Sequence, residues 1–396
     1  MQFKDFTGLR NDVEPERFTE KDLYVANNIN LDNTGKLLTR NGFIKRINGD
    51  FHSLWSNGKY CFFVVGAELH RLHENFTTTE IVRTDLTLDY YMSFSVANDV
   101  VYYSNGKETG IYQIGRNRTW GIQPPVFQPI VEATSGSMQE GRYQYALTYI
   151  RYDGQESGTG VADSIVLTDD QAINFTDIPV SPDTEVTHKV IYITPRNGET
   201  LYRAMLISNN VTSAYYNNPE SVDLRHLLTT QFMTSAPAGQ IVANLSGVFY
   251  VAYDNFIFYS DEFGYELFDL RRFLPFEETI TMLAPVQDGI WVGTVNKIYF
   301  INGLKPKDAR LLEKSDYGVL PTSVSYIVTS KVQGLENYNV EEAPIFITTD
   351  GLSIGLSGGI LVNLTEATFD LNASGQASTI YRQEDGIDQV IISISN

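Results

Sequence analysis

The feature that most constrains this chain is a hairpin written several times over. Gln287-Asp288-Gly289-Ile290-Trp291-Val292-Gly293-Thr294 reads as a strand, Val295-Asn296-Lys297 reverses it, and Ile298-Tyr299-Phe300-Ile301 returns. Side chains alternate along a strand, so Ile290 and Val292 face one way and Trp291 and Gly293 the other. Asn296 suits the reversal because Asn tolerates the positive φ that tight hairpin turns demand. A lone hairpin is barely stable in water. The sequence supplies neighbours: Asp350-Gly351-Leu352-Ser353-Ile354-Gly355-Leu356 matches the first copy without a gap, and Gly247-Val248-Phe249-Tyr250-Val251 falls into the same register. Fainter copies begin at Asn57-Gly58, Asn98-Asp99 and Asp385-Gly386. Strand units recurring at about forty residues are the mark of blades set around an axis, an all-β β-propeller.

Laid along the chain, residues 51 to about 88 and 90–122 make two blades. Residues 239 to about 270, 280–314 and 324–369 make three more, the last lengthened by a charged loop at 331–342. A ring must join its ends or leave two raw sheet edges. Ile29-Asn30-Leu31 and the returning Leu37 form a hairpin with no blade before it, and 379–395 is a strand-rich fragment smaller than a blade. The two termini are therefore expected to share a composite last blade, giving about six. Thr19-Glu20-Lys21-Asp22 reads as the cap of a short helix leading into Leu23.

Between the second and third blades the pattern changes. Pro124, Pro125 and Pro129 punctuate the chain, and Arg142-Tyr143-Gln144-Tyr145-Ala146-Leu147-Thr148-Tyr149-Ile150-Arg151 follows as a long alternating strand. Tyr143, Tyr145, Leu147 and Tyr149 share one face. Asp153-Gly154-Gln155-Glu156-Ser157 turns it, and short strands follow at 164–168, 172–175, 186–194 and 202–207, closing with Ser213-Ala214-Tyr215-Tyr216. About seven short strands in this length is the size of an immunoglobulin-like or fibronectin-like sandwich. The expected organisation is 1–126 propeller, 127–223 inserted sandwich and 224–396 propeller, with a short helix in the connector at 222–228.

The formal net charge of −19 excludes a nonspecific grip on nucleic acid, since phosphate binding needs Lys and Arg. Cys61 is the only cysteine, which excludes an intrachain disulfide and a thiolate zinc cluster. The opening Met1-Gln2-Phe3-Lys4-Asp5-Phe6 lacks the apolar core of a signal peptide, and no apolar run is long enough to span a bilayer, so synthesis in a cytoplasm is expected. Asn-x-Ser/Thr triplets at Asn75, Asn210 and Asn363 then carry no glycan.

Candidate sites are few. His70-Arg71-Leu72-His73 places two histidines three apart on a strand, on opposite faces, a poor metal pair. Gly158-Thr159-Gly160 reads as a turn, because no helix opening on Lys-Ser/Thr follows it. Asp288 and Asp350 recur at turn positions, where Asp bonds local backbone, so they read as structural rather than as a glycosidase pair. The repeats also lack the Ser-x-Asp-x-Gly-x-Thr-Trp box of sialidases. Arg116-Asn117-Arg118 and Arg271-Arg272 are basic islands in an acidic chain, read as solvated loops in preference to a meeting point for an acidic partner. No catalytic, cofactor-binding or metal-binding residue is assigned, no cofactor is expected, and the chain reads as a non-enzyme.

Phe6-Thr7-Gly8-Leu9-Arg10-Asn11-Asp12-Val13, then Ala26-Asn27-Asn28-Ile29-Asn30-Leu31-Asp32-Asn33-Thr34-Gly35-Lys36-Leu37 with Arg40-Asn41-Gly42, resembles the start of short-tailed bacteriophage tail proteins. These are the nozzle proteins, also called tail tubular protein B, related to packaged-DNA stabilisation proteins. Tyr143-Gln144-Tyr145-Ala146-Leu147-Thr148-Tyr149 with Asp153-Gly154-Gln155-Glu156-Ser157 looks like the fibronectin-type insert of such virion proteins. The resemblance implies a homo-hexameric ring in the phage tail, below the portal and its adaptor, that retains packaged DNA and conducts it during ejection. Tail fibres and a tail needle or plug are its implied further partners. Two other classes stay open: a tail-tip adhesin binding host glycans, and a propeller glycosidase.

Overall fold

The computed structural model describes residues 5–32, 34–218, 223–332, 334–335, 338, 340–371, 373–384 and 387–395. Five four-stranded antiparallel sheets run through it, each a meander with strands side by side in chain order. The first is Phe51–Ser56, Cys61–Val65, Glu68–Leu72 and Thr79–Arg83; the second is Ser93–Ala97, Val100–Ser104, Thr109–Gln113 and Arg116–Arg118. The third is Ile241–Leu245, Val248–Tyr253, Phe256–Asp261 and Gly264–Pro275. The fourth is Ile280–Val286, Gly289–Thr294, Ile298–Asn302 and Arg310–Ser315, and the fifth Ser325–Val328, Glu342–Thr348, Gly351–Leu356 and Ile360–Asn363. These are the blades of a β-propeller. Their first strands are tied to the next unit by a recurring serine: Met92 N–H donates to Ser53 Oγ (2.8 Å) and Val242 N–H to Ser93 Oγ (3.1 Å). Tyr381 N–H repeats the contact on Ser325 Oγ at 3.3 Å.

The second to fifth blades bury both faces, as the alternation in the motif requires, whereas the first leaves Leu54 and Ile81 exposed on the face away from the second blade. Ile290 and Val292 pack with Tyr250 and Ala252 of the third blade, whereas Trp291 and Phe300 pack with Phe346 of the fifth. Trp291 is fully buried, and its indole N–H donates to the Leu356 carbonyl at 3.2 Å. That fit depends on Gly355. A Cβ there would stand 2.6 Å from the indole nitrogen, closer than packed atoms approach.

Two details of the repeat differ from the sequence reading. The motif's leading turn joins first and second strands at Asn57-Gly58, Asn98-Asp99, Ser246-Gly247 and Gln287-Asp288, but Asp350 lies between the second and third strands of its blade. The gap-free match is thus shifted by one strand, because a Gly-led apolar strand fits either place in a meander. Positive φ occurs at Asn98 (50°), Asp99 (63°), Ser246 (48°) and Gly247 (82°), while Asn296 is not among the positive-φ residues. Asn296 serves instead through hydrogen bonds: Glu278 accepts from its N–H (2.9 Å), its side-chain amide (2.8 Å) and the Thr294 hydroxyl (3.0 Å).

The two chain ends meet, but as two hairpins rather than one sheet. Ile29–Leu31 pairs with Leu37–Thr39, and Gln376–Glu384 with Ile387–Ser395. Tyr381 and Val390 pack on the fifth blade, carrying the ring to a sixth unit. Side chains hold the ends together: Asn11 donates to the Asp370 carbonyl (2.9 Å) and accepts from its N–H (2.6 Å), and Asn41 donates to Glu384 (3.0 Å). Between the hairpins lies a groove of about 420 Å³. The expected helix after Thr19 is absent among the described residues. Asp22 instead accepts from the Thr19 N–H (2.8 Å) and hydroxyl (2.9 Å), closing a turn ahead of the two-residue strand Asp22–Leu23.

The insert is two packed sheets. One holds Ile130–Met138, Gln171–Thr176 and Ala214–Tyr216; the other holds Asp163–Leu167, Gly141–Arg151, Val186–Ile193, Tyr202–Ser208 and Asp223–Leu227. Tyr143, Tyr145, Leu147 and Tyr149 all enter the core between them, facing Ile173 and Phe175. The connector helix expected at 222–228 is a strand over its described part: Asp223–Leu227 pairs with Tyr202 and Arg203, whose open edge outweighs weak local helix preference. Val222 lies outside the described residues. Lys189 is fully buried on the Val186–Ile193 strand, donating to the carbonyls of Pro179 (3.0 Å) and Val211 (2.7 Å). Burial lowers its pKa to about 8. Among the described residues, no helix is long and apolar enough to cross a membrane.

Gly355→Ala, which forces the indole of Trp291 aside, lowers stability in urea denaturation by about 1–3 kcal/mol. Gly160→Ala, with open space around it and no positive φ, stays within about 0.5 kcal/mol of the parent. Lys189 gives a pH signature. The folded chain binds fewer protons than the unfolded one between pH about 8 and 10.5, so stability rises with pH across the start of that window. Above pH about 10 the buried tyrosines reverse the trend, since burial pushes Tyr149 and Tyr216 up to about 12 and folding then opposes their ionisation. Melting temperature measured from pH 7 to 10 therefore climbs in the parent and flattens in Lys189→Met.

Candidate functional site

The densest polar cluster lies where the sandwich meets the rim of the propeller. The chain leaves the outer strand of the second blade through Thr119-Trp120-Gly121 and returns through Ser235-Ala236. Ala236 N–H donates to the Trp120 carbonyl (3.1 Å), Gln123 donates to Ser235 Oγ (2.5 Å), and the Trp120 indole N–H donates to the Tyr265 carbonyl (2.7 Å). The two linkers touch because Gly121 takes φ +86° and has no side chain. A Cβ there would lie 2.5 Å from the Glu266 carbonyl oxygen and 2.9 Å from Ser235 Cα.

Arg151, the last residue of the long sandwich strand, is inserted at this seam with its side chain fully buried. Its Nη1 donates to Glu266 (2.8 Å) on the outer strand of the third blade. Nη2 donates to Asp183 (2.8 Å) and to the Thr119 hydroxyl (2.5 Å). Arg118, on the outer strand of the second blade, donates to the other oxygen of Glu266 (3.0 Å) and to Asp153 (2.6 Å) of the sandwich. Glu266 is thus held by one guanidinium from each body. Burial raises its carboxyl pKa, against the pull of Arg118 and Arg151. At Asp153 burial pushes upward too, but the Arg118 hydrogen bond, the Gln155 N–H and both guanidinium charges outweigh it and hold the carboxyl low. Buried pairs add little net stability over apolar packing, yet removing one partner is costly because the other charge is left unmatched. This arrangement fixes the orientation of the sandwich on the propeller.

The residues weighed from sequence fall elsewhere. His70 Nε2–H donates to Glu68 (2.9 Å) and its ring stacks on Phe63, while His73 lies 3.9 Å from Glu80. The two histidines therefore attend different carboxylates. Asp288 accepts from the Gly358 N–H (2.8 Å), linking the fourth blade to the fifth, and Asp350 accepts from the amide of Asn363 (3.2 Å), the last residue of the outer strand of its own blade. Thr159 of Gly158-Thr159-Gly160 is buried and accepts from the Phe232 N–H (2.7 Å), sealing the sandwich against the returning linker. The basic islands are corrected: both lie on strands rather than loops. Arg118 is a structural cation with side-chain exposure of 15%, on which the carboxylates of Asp153, Glu266 and Glu185 converge. Arg272 pairs with Asp261 (2.7 Å), and Arg271 pairs with Asp269 (2.8 Å) while its guanidinium sits 4.3 Å over Phe232. Among the described residues, no group of three or more His, Cys, Asp or Glu side chains could hold a metal.

Arg151, Asp183 and Glu266 were not singled out from the sequence. One signal was present: Arg151 continues the two-residue parity of Tyr143, Tyr145, Leu147 and Tyr149, so the buried face of that strand ends in a charge.

No family model matches this chain, and no curated protein matches it. Among solved structures it is similar to the extracellular domain of the putative one component system BT4673 from B. thetaiotaomicron. That likeness has 10% identity and a TM-score of 0.24, and covers 88% of this chain and 58% of that one. BBS1N in complex with ARL6DN is similar at 9% identity and a TM-score of 0.33, over 87% of this chain and 88% of that one. Porphyromonas gingivalis dipeptidyl peptidase 4 is similar at 10% identity and a TM-score of 0.27, over 86% of this chain and 42% of that one.

Arg151→Met leaves Asp183 and Glu266 short of a cation and lowers stability in urea denaturation by about 3–5 kcal/mol. Limited proteolysis then cuts the 228–235 linker faster than in the parent. Arg116→Met, an exposed change on the same blade strand as Arg118, stays within about 0.5 kcal/mol.

Proposed function

We propose that this chain is a structural virion protein, the tail nozzle subunit of a short-tailed phage. Six copies form a ring below the portal adaptor that retains the packaged genome and conducts DNA during ejection. The observation that carries the reading is the buried Arg151–Glu266–Arg118 bridge. It makes sandwich and propeller one stiff body, as a subunit must be if lateral contacts are to close a ring of defined rotation. Two further features support it. The N-terminal stretch that bears the family resemblance is also the stretch that meets the C-terminal part of the chain, Asn11 at Asp370 and Asn41 at Glu384 of the last hairpin. The net charge of −19 repels the phosphate backbone, so passing DNA is not gripped.

Cryo-EM of the particle that carries this chain tests the proposal. Density for six copies around the DNA exit channel, directly beneath the adaptor, is the expected result. Copies found only at fibre tips, or no copies in the particle, overturn it.

A further inference from the structure

The groove between the terminal hairpins is walled in part by Leu9, Leu23 and Ala26 and otherwise by the hairpins themselves. Its wall includes Ile29, Asn30 and Leu31 from one hairpin and Gln389, Val390 and Ile391 from the other. Three consecutive residues cannot all line a cavity with their side chains, because strand side chains alternate. The groove is therefore bounded by the edges of the two hairpins. Among the described residues, each of these strands is paired on one side only: Ile29–Leu31 with Leu37–Thr39, and Ile387–Ser395 with Gln376–Glu384. Unpaired edges are templates for an added strand.

The electrostatics select the guest. The groove is lined by Arg40 and Arg382 and by no carboxylate, in a chain whose net charge is −19. Arg382 is held by Gln389 (2.8 Å) and Glu384 (3.0 Å). Arg40 stacks over Phe43 at 4.8 Å and has no carboxylate partner among the described residues. Leu37 adds an apolar wall.

We infer that this groove binds an extended acidic peptide from a protein partner, which enters as a β-strand between the two hairpins and joins them into one sheet. Its backbone pairs with Ile29–Leu31 and Ile387–Ser395, alternate apolar side chains meet Leu37 and its neighbours, and a carboxylate meets Arg40. The inference goes beyond the nozzle reading and stands without it.

The test uses the full chain and a fluorescently labelled peptide of about seven residues, the usual length of a strand, alternating valine with glutamate and threonine. Saturable binding by fluorescence anisotropy is expected, with slowed amide exchange at 29–31 and 389–391. A peptide with lysine in place of glutamate binds at least about tenfold more weakly, and Arg40→Glu weakens the acidic peptide by a similar factor. A central proline, which removes a ladder donor, abolishes binding. Equal binding of acidic and basic peptides, indifference to the proline, protection elsewhere in the chain, or no saturable binding would each overturn the inference. Indifference to the proline would mark the groove as a site for apolar molecules without strand character.

Discussion

The second to fifth blades of this protein bury apolar side chains on both faces, so each of them depends on a neighbour on either side. Ile290 and Val292 need the third blade as much as Trp291 needs the fifth. That demand propagates from sheet to sheet until a chain end is reached, and there it has to stop. The architecture is an answer to that problem: the sheets are carried round, and the two ends of the polypeptide are brought together. They are joined by side chains such as Asn11 and Asn41, not by a continuous ladder. The ring is thus tightly coupled over five blades and more loosely coupled at the sixth.

The insertion meets a different constraint. A sandwich has a self-sufficient core, here Tyr145, Leu147, Ile173 and Phe175, and does not need the propeller to fold around. Without further contacts two linkers would leave it free to swing. Arg151 and Arg118 remove that freedom by sharing one carboxylate between them, and Gly121 lets the linkers approach closely enough for the seam to be dry. Charge here buys orientation more than stability.

Local signals in the sequence carried the fold a long way. The alternation in Gly289–Thr294 and in Tyr143 to Tyr149 set which side chains face inward, because strand parity is fixed by the backbone. The meeting of the chain ends followed from the cost of raw edges. What was not legible was anything decided between distant residues. Arg118 looked solvated because its partners Asp153 and Glu266 are remote in the chain. Asp223–Leu227 looked helical because the edge that captures it belongs to a strand some twenty residues earlier, at Tyr202 and Arg203. Asp350 was matched to Asp288 because a Gly-led apolar strand reads alike as the second or third strand of a blade.

The hydrogen bond from Ala236 N–H to the Trp120 carbonyl places the exit and return points of the insert in direct contact. A genetic excision ending at those two residues would rejoin the second and third blades with almost no gap to span. Gain or loss of the whole module in a lineage is therefore a single-step event for the backbone. Its trace would remain in Arg118 and Glu266, which would still pair with each other at the bare rim after Arg151 had gone.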